Sequence, residues 1–388
     1  MNVARMRVAA IHEWLETYAG SEQVLAEILA LFPQADVFTL VDFLPENQRG
    51  FLDGHRVMTS FIQNLPFARK RFRWYLPLMP FAIEQFDLAD YDLIISSSHA
   101  VAKGVVGRPY QPHISYVHSP MRYAWDLQRN YLAGNRLRSL PPRVLMHYLR
   151  MWDTRTANGV DHFAANSWFI AQRILKAYRR EAEVIYPPVD VEKFSVAGNR
   201  ENFYLCLSRL VPYKRVDLVV EAFAQSPRRR LLVIGDGPQL QTLKARATHN
   251  IEFLGRVSDE AKRDYLARAK AFVFAGEEDF GIALVEAQAS GTPVIAFGRG
   301  GAAEIVLPGK TGVLFHEQSA AGLLAMLERF ERMPLMDPNE IRRNAGRFSA
   351  SRFRHEFRAL VARSMQTRAN ATELASDGIL AKPVIDAA

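Results

Sequence analysis

The sequence predicts an α/β protein made of two doubly wound domains. Three observations predict it. The chain of 388 residues is long enough for about two domains. Short apolar runs alternate with longer stretches of helical period, the mark of strand–helix crossovers and a mostly parallel sheet. One break, Tyr186-Pro187-Pro188-Val189-Asp190, is followed by a restart of the same alternation. Two successive prolines lack backbone donors, so neither a helix nor a central strand continues there. The expected domains are 1–187 and 188–365, the last helix free to cross back to the first domain. The weakly periodic tail, 366–388, is expected to be loosely ordered.

In the first half, Arg7–His12 (RVAAIH) reads as a buried strand. Gly20–Leu31 reads as a helix, with Val24, Leu25, Ile28, Leu29 and Leu31 at helical spacing. Val37–Val41, Leu93–Ser96, Ile114–Val117 and Phe163–Ala165 are further strands, and Trp168–Tyr178 is helical. In the second half the strands are Phe203–Leu207, Leu231–Ile234, Ile251–Phe253, Ala271–Phe274, Pro293–Ala296 and Gly312–Phe315. The helices between them are Val216–Ala224, Asp259–Ala269, Ile282–Ala289 and Ala320–Arg329. Phe67–Phe86 mixes Arg and Lys with aromatic side chains. It suits an aromatic-rich helix against the core with a charged outer face, or a membrane-surface helix.

Composition narrows the function. Apolar types at 49% exclude a disordered chain. A single cysteine, Cys206, excludes a disulfide scaffold and any zinc site of four cysteines or of two cysteines and two histidines. The apolar stretch Val8–Ile11 stops at His12 and Glu13, too short for a secretory segment. No window is long enough to span a bilayer. A cytoplasmic protein is expected. Lys and Arg number 49 against 41 Asp and Glu, a net +8. That balance points to nucleic acid, an anionic membrane, or phosphorylated small molecules.

In open α/β sheets ligands bind beyond the carboxyl ends of strands. The most specific stretch there is Glu278–Gly301 (EDFGIALVEAQASGTPVIAFGRGG). Glu278 precedes a turn, Asp279–Gly281, that opens a helix; Glu286 lies about two turns in. Free N–H groups at a helix start can hold an anion. Two solvated glutamates would also fit. The following Gly-Thr-Pro, strand and Gly300-Gly301 favour a site, since glycines let a backbone approach a ligand. In Ser208–Lys214, between a strand and a helix, Arg209 and Lys214 can point at one anion, and their +2 would match a diphosphate without metal. Gly235-Asp236-Gly237-Pro238 is half a dinucleotide fingerprint and equally a tight turn. His118 follows a strand and can contact a sugar hydroxyl or a developing charge, a role for which His99 and His12 compete. Gly20 can bring the start of the first helix close to phosphate or sugar. Asp90-Tyr91-Asp92 matches a metal-binding Asp-x-Asp, but at the amino end of a strand it reads as solvated charge.

Together these elements resemble the retaining GT-B glycosyltransferases of family 4 over nearly the whole chain. Glu278 and Glu286 match that family's Glu-x7-Glu motif, and Arg209 with Lys214 its basic pair. RVAAIHEWLETYAGSEQV resembles its first strand and glycine loop, with Ala19-Gly20 in place of Gly-Gly. IISSSHAVAKGV and YVHSPMRYAWD resemble a mannosyltransferase branch, the WbaZ-like proteins of bacterial polysaccharide synthesis. The resemblance implies two Rossmann-like domains facing each other across a cleft, with a nucleotide-sugar held mainly by the second. Arg209 and Lys214 would stabilise the leaving diphosphate. Glu286 would hold the ribose, and Glu278 with the backbone of Phe280, Gly281 and Ile282 the sugar and phosphate. Gly20 and Gly235 would lie along the donor, and His118 would contact the transferred sugar. No metal and no cofactor is implied. The implied reaction is transfer from GDP-mannose to a saccharide or polyprenyl-diphosphate-linked saccharide. A UDP-sugar donor and a sugar-nucleotide epimerase are the alternatives. No nucleic-acid motif accompanies the charge. Residues 103–155 hold nine Lys and Arg against two Asp and Glu, nearly the whole excess. With the apolar side chains of Pro141–Trp152, that stretch suits a peripheral contact with an anionic membrane, through Arg136, Arg138 and Arg143.

Overall fold

Seven parallel strands form the first sheet in the order β3-β2-β1-β4-β5-β6-β7. They are β1 Val8–His12, β2 Asp36–Thr39, β3 Val57–Thr59, β4 Leu93–Ser98, β5 His113–Val117, β6 His162–Ala165 and β7 Glu183–Val184. The central strands β1, β4 and β5 are buried along their whole length, as a parallel sheet covered on both faces requires. The computed structural model describes residues 6–125 and 140–376, with side chains to residue 367. Arg136 and Arg138, and the ends 1–5 and 377–388, lie outside the described residues.

The helices of the first half are α1 Gly20–Leu31, α2 Ala68–Arg71, α3 Met79–Glu84, α4 Leu140–Thr156 and α5 Trp168–Tyr178. Helix α1 begins where the Glu22 carboxylate accepts the Ala19 N–H at 3.0 Å, and it ends before Pro33. Its Val24, Leu25, Ile28 and Leu29 are buried. Phe67–Phe86 is not one helix. Pro77 breaks it, and α2, a 3₁₀ stretch at Phe72–Leu78, and α3 follow each other. Phe72, Met79, Ala82 and Ile83 enter the core while Phe67, Trp74 and Phe81 stay exposed.

The second sheet is also parallel, in the order β10-β9-β8-β11-β12-β13. Its strands are β8 Phe203–Leu207, β9 Arg230–Ile234, β10 Ile251–Gly255, β11 Ala271–Phe274, β12 Val294–Phe297 and β13 Gly312–Phe315. Its helices are α6 Val216–Ala224, α7 Leu240–Lys244, α8 Asp259–Arg268, α9 Ile282–Ala289, α10 Ala302–Ile305, α11 Ala320–Arg332 and α12 Pro338–Ala345. One core lies on each face of this sheet, around Phe272 and Leu284 on one and Val219 and Leu323 on the other.

Two units result. One comprises Met1–Asn166, Ile170–Ile185 and Arg354–Ala388, the other Ser167–Phe169 and Tyr186–Phe353. The last helix, α13 Ala350–Ser376, belongs mostly to the first unit, the crossing back that the sequence allowed, and the second unit ends at Phe353. Phe357, Leu360 and Val361 are buried there, and Phe357 meets the Tyr116 ring. The expected loose tail is helical as far as Ser376. The short edge strands β3 and β7 were missed because neither forms an apolar run. Among the described residues no helix is long and apolar enough to cross a membrane.

Candidate active site

Both sheets reverse strand order between the first and fourth of their strands, and the candidate residues lie just beyond the carboxyl ends there. In the second unit, β8 runs into Ser208–Val211 and a 3₁₀ turn, Pro212–Lys214. Gly276, after β11, lies so close to the Lys214 backbone that a side chain would crowd it. Lys214 Nζ pairs with Glu278 Oε1 and lies over the Tyr213 and Phe274 rings. The expected +2 of Arg209 and Lys214 is therefore reduced to +1 by Glu278. Arg209 is exposed, and its guanidinium makes no hydrogen bond among the described residues.

Gly281, at φ +106, is the left-handed turn that opens α9. Glu286 lies one turn into α9 and receives Lys262 Nζ of α8 at 2.9 Å. Lys262 had no motif to mark it, since it sits in a highly charged helix. Phe280 is buried against Tyr186 and Phe348, so only its backbone can serve a ligand. Gly300 and Gly301 have a structural reason to be glycine besides the expected approach to a ligand. A Cβ at 300 would collide with the Glu278 carbonyl and one at 301 with that of Phe280, and Gly301 N–H donates to the Glu278 carbonyl at 2.9 Å. These glycines hold the Glu278–Phe280 turn in place. Gly235, at φ +136, likewise presses on the Ser208 carbonyl, which makes it the support of the Arg209 loop.

In the first unit, the three consecutive serines that end β4 are buried and each meets a different polar group. Ser96 reaches His113 at 2.8 Å, Ser97 reaches His118 at 2.8 Å, and Ser98 donates to Glu13 at 3.1 Å. Glu13 is fully buried. Its Oε1 also accepts the N–H groups of His99 and Ala100 at 2.8 Å, and Oε2 pairs with His99 Nδ1 at 3.1 Å. Burial alone would raise the Glu13 pKa. His99 and the backbone donors outweigh it and hold the carboxylate far below its usual range. Sequence reasoning missed Glu13 because a lone carboxylate after a strand has no signature. Of the competing histidines, His12 is enclosed by Glu22 and Ser97, His99 is held by Glu13, and His118 is half-buried. Gly20 begins α1 next to this cluster. Asp90 and Asp92 instead meet Arg7 at the opposite end of the sheet.

Burial pushes His118 down to about 3, with His99 adding to it, and pushes His113 down to about 4. Unfolded, each would bind a proton near the ordinary 6.5. Between those values the unfolded chain holds more protons, so stability rises with pH. It is expected to fall as pH drops from about 6.5 to about 4, by up to about 1.4 kcal/mol per pH unit for each proton. His99, raised by Glu13 against burial, reaches its full stabilisation below about 6.5, so it offsets only the start of the loss between pH 7 and pH 5. Glu22 is held at about 2 because the hydrogen bonds from His12 and Ser21 outweigh burial, so it adds a further loss below 4.5. Thermal melts at pH 7 and pH 5 check this; equal stability at both would contradict it.

Residues 18–193 match the family described as Glycosyltransferase Family 4, and residues 190–348 the family described as Glycosyl transferases group 1. The two matches follow one another across both sheets. The chain belongs to glycosyltransferase family 4. This family 4 chain is similar to a GDP-mannose-dependent alpha-(1-6)-phosphatidylinositol monomannoside mannosyltransferase of Mycolicibacterium smegmatis, 33% identical over 41% of this chain and 50% of that one. It is also similar to the D-rhamnosyltransferase WbpZ of Pseudomonas aeruginosa, 29% identical over 44% of this chain and 50% of that one. The chain spans about half the length of these curated relatives. The fold is GT-B. HepE of Anabaena, solved with UDP and glucose, superposes with a TM-score of 0.66 over 92% of this chain and all of that one, at 19% identity.

Proposed function

We propose that this family 4 protein is a retaining glycosyltransferase that moves mannose from GDP-mannose to a saccharide or lipid-linked saccharide in bacterial polysaccharide synthesis. The observation that carries the reading is the pairing of Glu278 with Lys214 and of Glu286 with Lys262 at the carboxyl ends of the second sheet. Two carboxylates that accept sugar hydroxyls, beside cations that accept phosphate, fit a nucleotide-sugar. The choice of mannose and guanine rests on the name of the mycobacterial relative. In the proposed roles, Arg209 and Lys214 neutralise the leaving diphosphate, in place of a metal, and Glu286 holds the ribose. Glu278 and the backbone at Phe280–Ile282 hold sugar and phosphate, and His118 contacts the sugar. The acceptor oxygen bonds to the anomeric carbon on the face that the diphosphate leaves, and its proton passes to the departing phosphate oxygen.

A panel of donors tests the reading. GDP-mannose at about a hundredfold its Kd is expected to stabilise the protein by about 2.7 kcal/mol in a thermal shift, followed by transfer to acceptor. A shift with UDP-sugars alone would move the donor to uracil, the nucleotide in the Anabaena structure. An epimerised nucleotide-sugar formed from donor without acceptor would make the protein an epimerase.

The same proposal includes contact with an anionic membrane. Phe67, Trp74 and Phe81 are exposed on the first unit beside exposed Arg69, Lys70 and Arg71, and Arg71 stacks on Trp74 at 4.2 Å. Among the described residues of 103–155, Arg143 is exposed. Lys103 is buried against Asp153, Arg150 donates to the Ala124 carbonyl and Arg155 to Glu84. The exposed aromatic and basic side chains together place the centre of the proposed contact at 67–81, with Arg143 as a further cation. W74S with F81S is expected to lower binding to phosphatidylglycerol vesicles at least tenfold, since each buried aromatic contributes about 1.5–3 kcal/mol. Unchanged sedimentation with vesicles would sink it.

A further inference from the structure

Four side chains of the first unit form one continuous row of hydrogen bonds. Glu22 Oε1 lies 3.2 Å from His12 Nε2, and His12 Nδ1 lies 3.2 Å from Ser97 Oγ. Ser97 Oγ lies 2.8 Å from His118 Nε2. Strand register fixes the middle of the row, because His12 on β1 stands opposite Ser97 on β4. Glu22 is fixed from the other side, where its Oε2 accepts the Ala19 N–H at 3.0 Å and the Ser21 hydroxyl at 2.9 Å.

The row has a direction. An ionised carboxylate only accepts, so His12 Nε2 must carry a hydrogen. A neutral His12 has a bare Nδ1 that accepts the Ser97 hydroxyl hydrogen, whereas an imidazolium would donate there and reverse the row. A hydroxyl has only one hydrogen, so Ser97 Oγ is left to accept from His118 Nε2–H. His118 Nδ1 is then bare, and among the described residues it has no partner. His99, 6.2 Å from His118 and 6.4 Å from His12 between ring centres, is bonded to Glu13 and stands outside the row.

We infer that His12 is held as the neutral ring and that Glu22, acting through it and Ser97, sets the tautomer of His118 and so presents Nδ1 as a fixed acceptor for a ligand hydroxyl. Glu22, His12 and Ser97 are positioning residues. The catalytic consequence rests on the reading of His118 as a sugar contact; the tautomer is a property of the protein without substrate. Every bond in the row can be inverted by one isosteric change. In E22Q the amide oxygen keeps the Ala19 N–H and the amide NH2 faces His12 Nε2. His12 must then carry its hydrogen on Nδ1 and donate to Ser97. Ser97 donates to His118 Nε2, and His118 becomes the Nδ1–H form, unable to accept there.

The test is the ring-nitrogen spectrum of the full-length protein labelled with 15N-histidine, with His118 assigned by the signals lost in His118→Ala. The wild type is expected to show a protonated Nε2 and a bare Nδ1 at His118. E22Q is expected to exchange the two, and S97A, which cuts the row, to mix them. A protonated Nδ1 in the wild type, or an unchanged tautomer in both variants with unchanged melting temperature, would overturn the inference. In transfer assays E22Q should lower kcat/KM about tenfold, the loss of one hydrogen bond. An exchanged tautomer with unchanged transfer would support the row and remove His118 from the proposed sugar contact.

Discussion

Lys214→Ala is expected to lower kcat for glycosyl transfer by about 10²–10³-fold while leaving the fold intact. That is the usual loss when one preorganised group at a developing charge is removed. Lys214 sits on a 3₁₀ turn and is partly exposed, so the core does not depend on it. Its ammonium is held by Glu278 and by the Tyr213 and Phe274 faces, aimed before any ligand arrives. With Lys214 and Arg209 against Glu278 the local charge is +1; without Lys214 it is zero, and Glu278 stands unshielded beside an incoming diphosphate. The loss should therefore appear in donor KM as well as in kcat. Lys214→Arg keeps the charge but changes its shape, and should recover part of the rate. Initial rates across donor concentration, with melting temperatures alongside, check both variants. Full activity in Lys214→Ala would remove this residue from the mechanism.

Lys103→Ala is expected to destabilise the first unit by about 3–5 kcal/mol, because it strands a buried carboxylate. Lys103 Nζ lies 2.5 Å from Asp153 Oδ1, and both side chains are almost wholly buried. Asp153 Oδ2 also accepts from Trp125 Nε1 at 2.8 Å and from the Tyr178 hydroxyl at 2.9 Å. The ion pair ties α4 to the turn after β4, where a side chain at Gly104 would run into the Trp152 ring. On its outer face α4 exposes Val144, Tyr148 and Met151. Removing Asp153 altogether would strand the Trp125 and Tyr178 donors instead. Lys103→Met with Asp153→Asn removes both charges and keeps an acceptor, so it should restore much of the loss. Urea unfolding of the single and double variants measures this. A single variant as stable as the wild type would show that the pair contributes little.

The regular elements were legible because parallel strands buried on both faces must be apolar throughout, and covering helices must repeat their apolar face. Gly20–Leu31, Trp168–Tyr178, Val216–Ala224 and Ile282–Ala289 were placed to the residue. Short edge strands and the broken segment 67–86 were not. Their form depends on what they lean against, and the aromatic side chains there divide between core and solvent. Glu278, Glu286, Arg209 and Lys214 stood out because helix starts and strand ends carry recognisable turns. Lys262 and Glu13 did not, since each gains its meaning only from a partner on another element.

Read alone, the sequence settles the class of fold, the alternation of its central strands and main covering helices, and the family through its Glu-x7-Glu and basic-pair motifs. These are local or periodic properties, written in consecutive residues. Tertiary structure decides which charges remain free. It spends Lys103 on Asp153, sets Lys214 against Glu278, and turns Gly300 and Gly301 toward their own chain. It also aligns Glu22, His12, Ser97 and His118 in one row. The physical reason is range. A hydrogen bond or ion pair acts over about 3 Å, and only the folded sheet brings residues 85 positions apart, such as His12 and Ser97, to that distance.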